Sequence, residues 1–243
     1  MEINKFEDLT KFDKKNAKVF LQFSFDISNW SLKNDDKFLP MLANFNCIKT
    51  FDCYDSDAFK YRKFCGLFYS KDLNIALIGF AGTEFTSEWF LDFDYKQINP
   101  LSIIKDEKIF VHIQHYNIYN SLRDELIKSL KSIINDDTVV VSTGHSLGGS
   151  VASICFLDLV INNIIKNRTL YTFGSPRTGN TAFAKIINDE KTAMRLANTA
   201  DLATSVPPPI IQNYIYTHYE GIYFIMNLES YSLNHGQSYT DYF

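Results

Sequence analysis

The sequence predicts an α/β fold with a mostly parallel central sheet flanked by helices. Three observations carry that expectation. Short β-branched runs alternate with longer segments of helical periodicity, the rhythm that builds parallel sheets with helices on their faces. The run Val139-Val140-Val141-Ser142-Thr143 is apolar over successive positions, as suits a strand buried on both sides. A chain of 243 residues, 46% of them hydrophobic, can bury the core that such a fold needs. No internal repeat, low-complexity tract or Pro/Gly-rich linker divides the chain, so a single domain over 1–243 is expected.

The elements follow in order. Phe12 to Phe25 has one apolar face and is predicted helical. Lys63 to Ser70 and Asn74 to Phe80 alternate like strands, and the short polar tip Lys71-Asp72-Leu73 joins them as a hairpin. Gln114 to Ser132 carries a stripe of Tyr116, Ile118, Tyr119, Leu122, Leu126, Ile127 and Leu130, which predicts a helix with one buried side. Thr138 to Thr143 is the central strand, bounded by Asp136-Asp137 and Gly144, and Leu147 to Lys166 is the next helix. Leu170 to Phe173, Ala182 to Ile187 and Thr192 to Leu196 repeat strand, helix, strand. Tyr214 to Phe224 is aromatic and strand-like.

Composition excludes several functions. The formal net charge is -4 and no basic stripe is present, so a nucleic-acid partner has no electrostatic support. Charged residues are scattered from Met1 to Lys18, where the apolar core of a signal peptide would stand. No run reaches the roughly 18 apolar residues that span a bilayer. A cytoplasmic location is therefore expected. Cys47, Cys53, Cys65 and Cys155 match no common zinc spacing, so free thiols and no metal are expected. The aromatic load, Phe 21 and Tyr 14, is read as compositional bias rather than lipid contact.

The segment Gly144-His145-Ser146-Leu147-Gly148 is a G-x-S-x-G pattern with an apolar strand before it and an apolar helix after it. That context makes Ser146 the candidate nucleophile on a sharp strand-to-helix turn. Side chains at Gly144 and Gly148 would collide with neighbouring chain. At the helix N-terminus the unpaired N–H groups and the helix dipole favour developing negative charge. The Leu147 N–H is then one oxyanion donor. A strand-to-helix turn without chemistry is the plainer reading of a bare pentapeptide; the flanking elements argue against it. His145 diverges from Ser146 across the turn and is assigned a structural role.

A serine nucleophile needs a base, and the base an orienting acid. Two histidines follow Ser146. His235 sits in the polar stretch Leu233-Asn234-His235-Gly236-Gln237, which suits presentation from a loop. His218 sits in the aromatic run Tyr216-Thr217-His218-Tyr219, which suits a structural histidine. Among the acids, Asp158 lies too far along the helix, and Asp189 and Glu190 precede a strand at its distant end. Asp201 follows the strand that ends near Ala197, at the same sheet edge as Ser146, where ligands of parallel sheets bind. Asp201 is the chosen acid. Ala81-Gly82-Thr83 follows another strand, and its small residues allow close backbone approach, so Thr83 is the second oxyanion candidate.

These residues form a recognisable set. From about residue 63 to 243 the chain resembles the class 3 lipases, the fungal triacylglycerol lipase family. The resemblance rests on Gly79-Phe80-Ala81-Gly82-Thr83, Val111-His112, Thr143 to Gly149, Tyr171 to Asn180, and the Asp201 and His235 segments. It implies an α/β-hydrolase-like fold, a Ser146, Asp201, His235 triad, an oxyanion hole of Thr83 and Leu147, and no cofactor. There are departures: Ala81 stands where the family usually has Arg, Ala203-Thr204 where Val-Pro is common, and Gln114-His115 where Gly-Phe is usual. The implied reaction is hydrolysis of lipid carboxylic esters, whether triacylglycerol, diacylglycerol or phospholipid, through an acyl-enzyme. The competing readings are a catalytically silent lipase-like binding or scaffold protein, and a soluble short-chain esterase or acyltransferase. After Thr83 the family carries a lid. Here Phe85, Trp89, Phe90 and Phe93 occupy that place, and Phe85, Trp89 and Phe93 would share one helical stripe. The expected partners are a lipid or ester substrate and, through such a lid, transient contact with a membrane or lipid-droplet surface.

Overall fold

A seven-stranded sheet forms the centre of the computed structural model, which describes residues 6–55, 60–83, 95–225 and 235–243. Its strands are β1 (Asn46–Asp55), β2 (Lys60–Ser70), β3 (Ile75–Phe80), β6 (Val139–His145), β7 (Arg168–Phe173), β8 (Ala193–Asn198) and β11 (Ile222–Ile225). Two short pairs lie outside it: β4 (Gln97–Ile98) with β5 (Val111–His112), and β9 (Ile210–Ile211) with β10 (Tyr214–Ile215). The sheet order is β1-β2-β3-β6-β7-β8-β11. β1, β2 and β3 pair antiparallel, and from β3 to β11 every pairing is parallel. β3 and β6 are buried at nearly every position, which is why their sequences are apolar runs rather than alternations.

Helix α1 (Lys14–Lys33) packs on β2, β3 and β6. Asp13 caps it by accepting the Asn16 N–H, and Asn34 ends it in the left-handed region at φ 50°. Phe20, Phe23, Ile27 and Trp30 form its buried stripe, so it runs well past the predicted limit of Phe25. Helices α2 (Ile113–Lys131) and α3 (Leu147–Ile161) pack on one another, and α3 covers β6 and β7. α3 is buried along almost its whole length. It stops at Asn162, short of the predicted Lys166, and Asn163 adopts φ 47° there. α4 (Thr181–Glu190) links β7 to β8. Asp189 and Glu190 fall in its last turn rather than in a loop.

One element lies outside the expectations and one expectation needs correction. β1 was not predicted: as an edge strand it buries Phe51 and Cys53 between exposed Asp52 and Tyr54, too short an alternation to stand out. The run Tyr214 to Phe224 is not one strand. It divides into β10 and β11, and Tyr216 and Tyr219 between them are buried in irregular chain. No helix among the described residues is long and apolar enough to cross a membrane. Cys47, Cys53, Cys65 and Cys155 form no disulfide.

Candidate active site

The C-terminal ends of β3, β6, β7 and β8 gather the candidate residues on one sheet edge. Ser146 stands between β6 and α3 with φ 56° and ψ -129°, a conformation that L-residues occupy only under constraint. Two glycines permit it. A Cβ on Gly144 would sit 2.3 Å from the Gly148 carbonyl carbon, and one on Gly148 would sit 2.2 Å from the Phe80 carbonyl oxygen. The Ser146 N–H donates to the Phe173 carbonyl at 2.9 Å, which ties the turn to β7. The Ser146 hydroxyl does not cap its own helix and makes no hydrogen bond among the described residues.

The loop after β3 runs directly beside this turn. Ala81 N–H donates to Phe64 O at 2.8 Å, and Gly82 N–H donates to the Ser28 hydroxyl at 2.9 Å. A Cβ on Gly82 would come within 3.5 Å of Ser146 Cβ. Thr83 follows, its hydroxyl oxygen buried and without a partner among the described residues. Leu147 opens α3, so its N–H is among those with no partner inside the helix.

Asp201 begins the loop after β8, and its side chain is fully buried. It accepts from His235 Nδ1 at 3.0 and 2.9 Å, from the Ala203 N–H at 2.9 Å and from the Tyr239 hydroxyl at 2.8 Å. An imidazole, an amide and a phenol therefore hold the carboxylate. The bond to Asp201 leaves Nε2 as the other ring nitrogen of His235, the one with which an imidazole so held can exchange a proton. Tyr239 also accepts from the Asn198 N–H at 2.9 Å, and Asn198 Nδ2 donates to Ser238 at 2.9 Å. The helix Gln237–Tyr242 is thereby fastened to the end of β8. Burial pushes the Tyr239 phenol up, and the Asp201 charge adds to the effect, so Tyr239 stays a donor.

Sequence reasoning missed Tyr239, Asn198 and Ser238. The available signal was that Ser238-Tyr239 lies within one helical turn of His235. The role given to His145 was incomplete: its ring packs on that of His235, with centroids 4.5 Å apart.

The residues set aside have other commitments. His218 Nε2 donates to Thr204 O at 2.8 Å, and burial, aided by the Arg195 charge, pushes it down to about 3. Asp158 is buried and holds Tyr119 at 2.6 Å and Arg123 at 2.8 and 3.0 Å. Phe85, Trp89, Phe90 and Phe93 lie outside the described residues. Among the described residues no cluster of His, Cys, Asp or Glu could hold a metal ion.

Parallel sheet, strained serine turn and helix behind it define the α/β-hydrolase class. Residues 77–210, more than half of the chain, match the family model described as Lipase (class 3). The chain belongs to the class 3 lipase family. It is 29% identical over 133 residues to the secreted mono- and diacylglycerol lipase A of Penicillium cyclopium, a match covering 54% of this chain and 42% of that protein. It is 33% identical over 104 residues to phospholipase A1-II 5 of Oryza sativa subsp. indica, covering 37% of this chain and 22% of that protein. The matched stretches thus span less than half of these relatives. In structure it is similar to a triacylglycerol lipase whose catalytic centre is a serine protease triad. That likeness has TM-score 0.69 and 22% identity and covers 88% of this chain and 82% of that one.

Proposed function

We propose that this protein hydrolyses carboxylic esters of lipids through an acyl-enzyme on Ser146. The observation that carries the reading is the Asp201–His235 pair beside the strained serine turn. His235 takes the Ser146 proton on Nε2 as Oγ attacks the acyl carbonyl. Asp201 fixes the tautomer and steadies the imidazolium. The Leu147 and Thr83 N–H groups receive the oxyanion, and the Thr83 hydroxyl, buried and unpaired among the described residues, is a third donor at the same place. His235 returns the proton to the leaving alcohol. It then activates water, which releases the fatty acid. In serine hydrolases the hydrogen bond between nucleophile and base commonly tightens only in the substrate complex. Names among the relatives include mono- and diacylglycerol lipase and phospholipase A1. They favour glycerides and phospholipids as the substrate class.

The test is a fluorophosphonate probe followed by an ester panel. Expected are a covalent adduct at Ser146 and hydrolysis that disappears in Ser146→Ala. A folded protein with neither adduct nor hydrolysis would make it a lipase-like binding protein. Transfer of the acyl group to an added alcohol in preference to water would make it an acyltransferase.

A further inference from the structure

We infer that His145 is a positioning residue for His235, holding the base by its backbone from the strand that carries the nucleophile. The inference rests on reading His235 as the general base. His145 ends β6, and its Nε2–H donates to the His235 carbonyl at 2.5 Å. Because the acceptor is a carbonyl, Nε2 must carry a proton. The imidazole is buried between Phe25, at 4.9 Å between centroids, and His235, at 4.5 Å, with the Tyr239 ring at 5.8 Å.

His235 is therefore held at two points. Asp201, from the end of β8, takes its ring at Nδ1, and His145, from the end of β6, takes its carbonyl. The second bond joins the base to the residue immediately before Ser146, so it sets the Ser146–His235 separation without passing through the acid. Misplacing a reacting group by about 1 Å costs on the order of 100-fold in rate. Burial first, and the neighbouring His235 second, hold the His145 pKa well below that of an ordinary histidine. A neutral His145 leaves room for His235 to become an imidazolium during turnover. A charged ring in the same stack would oppose it. Gly174, with φ 56°, keeps the place clear: a Cβ there would lie 2.9 Å from Asp201 Oδ2 and 3.3 Å from His145 Nε2.

The test compares His145→Phe, which keeps a ring without the donor, with His145→Gln, whose amide N–H replaces Nε2–H. Both are made in the native chain and in the His235→Ala background. On a soluble short-chain ester, His145→Phe is expected to lower kcat by about 10- to 100-fold with KM nearly unchanged, and His145→Gln to recover most of that loss. In the His235→Ala background neither should change the residual rate, because the effect acts only through His235. Equal losses in both backgrounds, or a native rate for His145→Phe, would overturn the proposal. A second readout needs no turnover: the His235 Nδ1–H resonance should be lost to exchange in His145→Phe and return in His145→Gln. An unchanged resonance in His145→Phe overturns the inference whatever the activity. A native protein that shows the resonance changes but hydrolyses nothing would sink the esterase reading and leave the His145–His235 link standing.

Discussion

One helical turn apart at the start of α3 stand two serines with different surroundings. Ser150 already makes the short contact expected of an activated nucleophile: its Oγ is 2.6 Å from His115 Nδ1 and 2.8 Å from Thr178 Oγ1. Behind His115 lies a second imidazole, His112, stacked at 3.9 Å. Burial, with His112 adding to it, holds the His115 pKa well below its usual value. Ser146 has no such bond, yet its φ is strained, it sits at the helix N-terminus, and the histidine on its sheet edge is backed by Asp201. The proposed assignment of Ser146 therefore rests not on a short Ser–His hydrogen bond but on a carboxylate behind the histidine ring and on the serine's place at the start of α3.

The largest expected effect tests that contrast directly. Ser146→Ala should lower kcat on the order of a million-fold with stability nearly unchanged. Ser150→Ala should keep most of the turnover and lose about 1–3 kcal/mol of stability, since it leaves buried His115 and Thr178 short of a partner. Steady-state hydrolysis and urea unfolding of the two variants separate the roles. If Ser150→Ala abolished labelling while Ser146→Ala retained it, the comparison would be reversed.

Asp158 and Asp201, the buried aspartates among the described residues, form a parallel pair. There Asp158 is paired with Arg123, whereas the donors to Asp201 besides His235 are neutral. Asp201→Asn should cost about 10⁴-fold in kcat, because the amide orients the wrong tautomer. Asp158→Asn should lower stability by about 1–3 kcal/mol, since Arg123 loses its buried partner and keeps only exposed Asp124, with turnover per folded molecule unchanged. Rates normalised to the folded fraction give the answer. A mild effect of Asp201→Asn would move the acid elsewhere.

Tyr239 sharpens the same contrast on a smaller scale. Tyr239→Phe removes one of three donors to Asp201 and the acceptor of the Asn198 N–H. Charge-assisted bonds of this kind are worth about 1.5–3 kcal/mol, so a loss of up to about 10- to 100-fold in kcat is expected, with a lower melting temperature. A native kcat would show that His235 and Ala203 alone suffice to hold the carboxylate.

Much of this arrangement was legible in the sequence because it depends on local context. Val139 to Thr143 is apolar throughout, so β6 announces itself, and the glycines after it fix the turn. Asp201 stood out by following a strand. Contacts between distant residues left no such trace. The His145 bond to His235 joins positions 90 apart, and no spacing rule reports it. Tyr239 looked like any aromatic near a C-terminus. β1 failed for another reason: an edge strand with one buried face supplies only half the apolar signal of a central one. The aromatic run from Tyr214 was over-read because tyrosines that plug a loop carry the same residue types as tyrosines in a strand.

The smallest effect concerns His218, set against His235, the two histidines that follow the proposed nucleophile. His218 is neutral in the fold, its pKa pushed from 6.5 to about 3, chiefly by burial and then by the Arg195 charge. The unfolded chain takes up that proton near the ordinary histidine value, and the folded chain does not. Stability is therefore full above about pH 6.5 and falls as the pH drops toward 3. At about pH 5 the loss from this residue is at most about 2 kcal/mol, and partial exposure of the ring reduces it. His115 and His145 are shifted in the same direction and steepen the decline. His218→Gln keeps a donor for the Thr204 carbonyl but has no proton to gain. It should match the native protein near neutral pH, lose less stability at about pH 5, above the range where carboxylates titrate, and retain native turnover. His235→Ala should instead abolish hydrolysis and, by taking the ring donor from buried Asp201, lower stability at neutral pH as well. Urea midpoints between about pH 7 and pH 5 decide the matter. Identical slopes for His218→Gln and the native chain would take the proton linkage away from His218, and loss of hydrolysis in His218→Gln with retention in His235→Ala would exchange the two histidines.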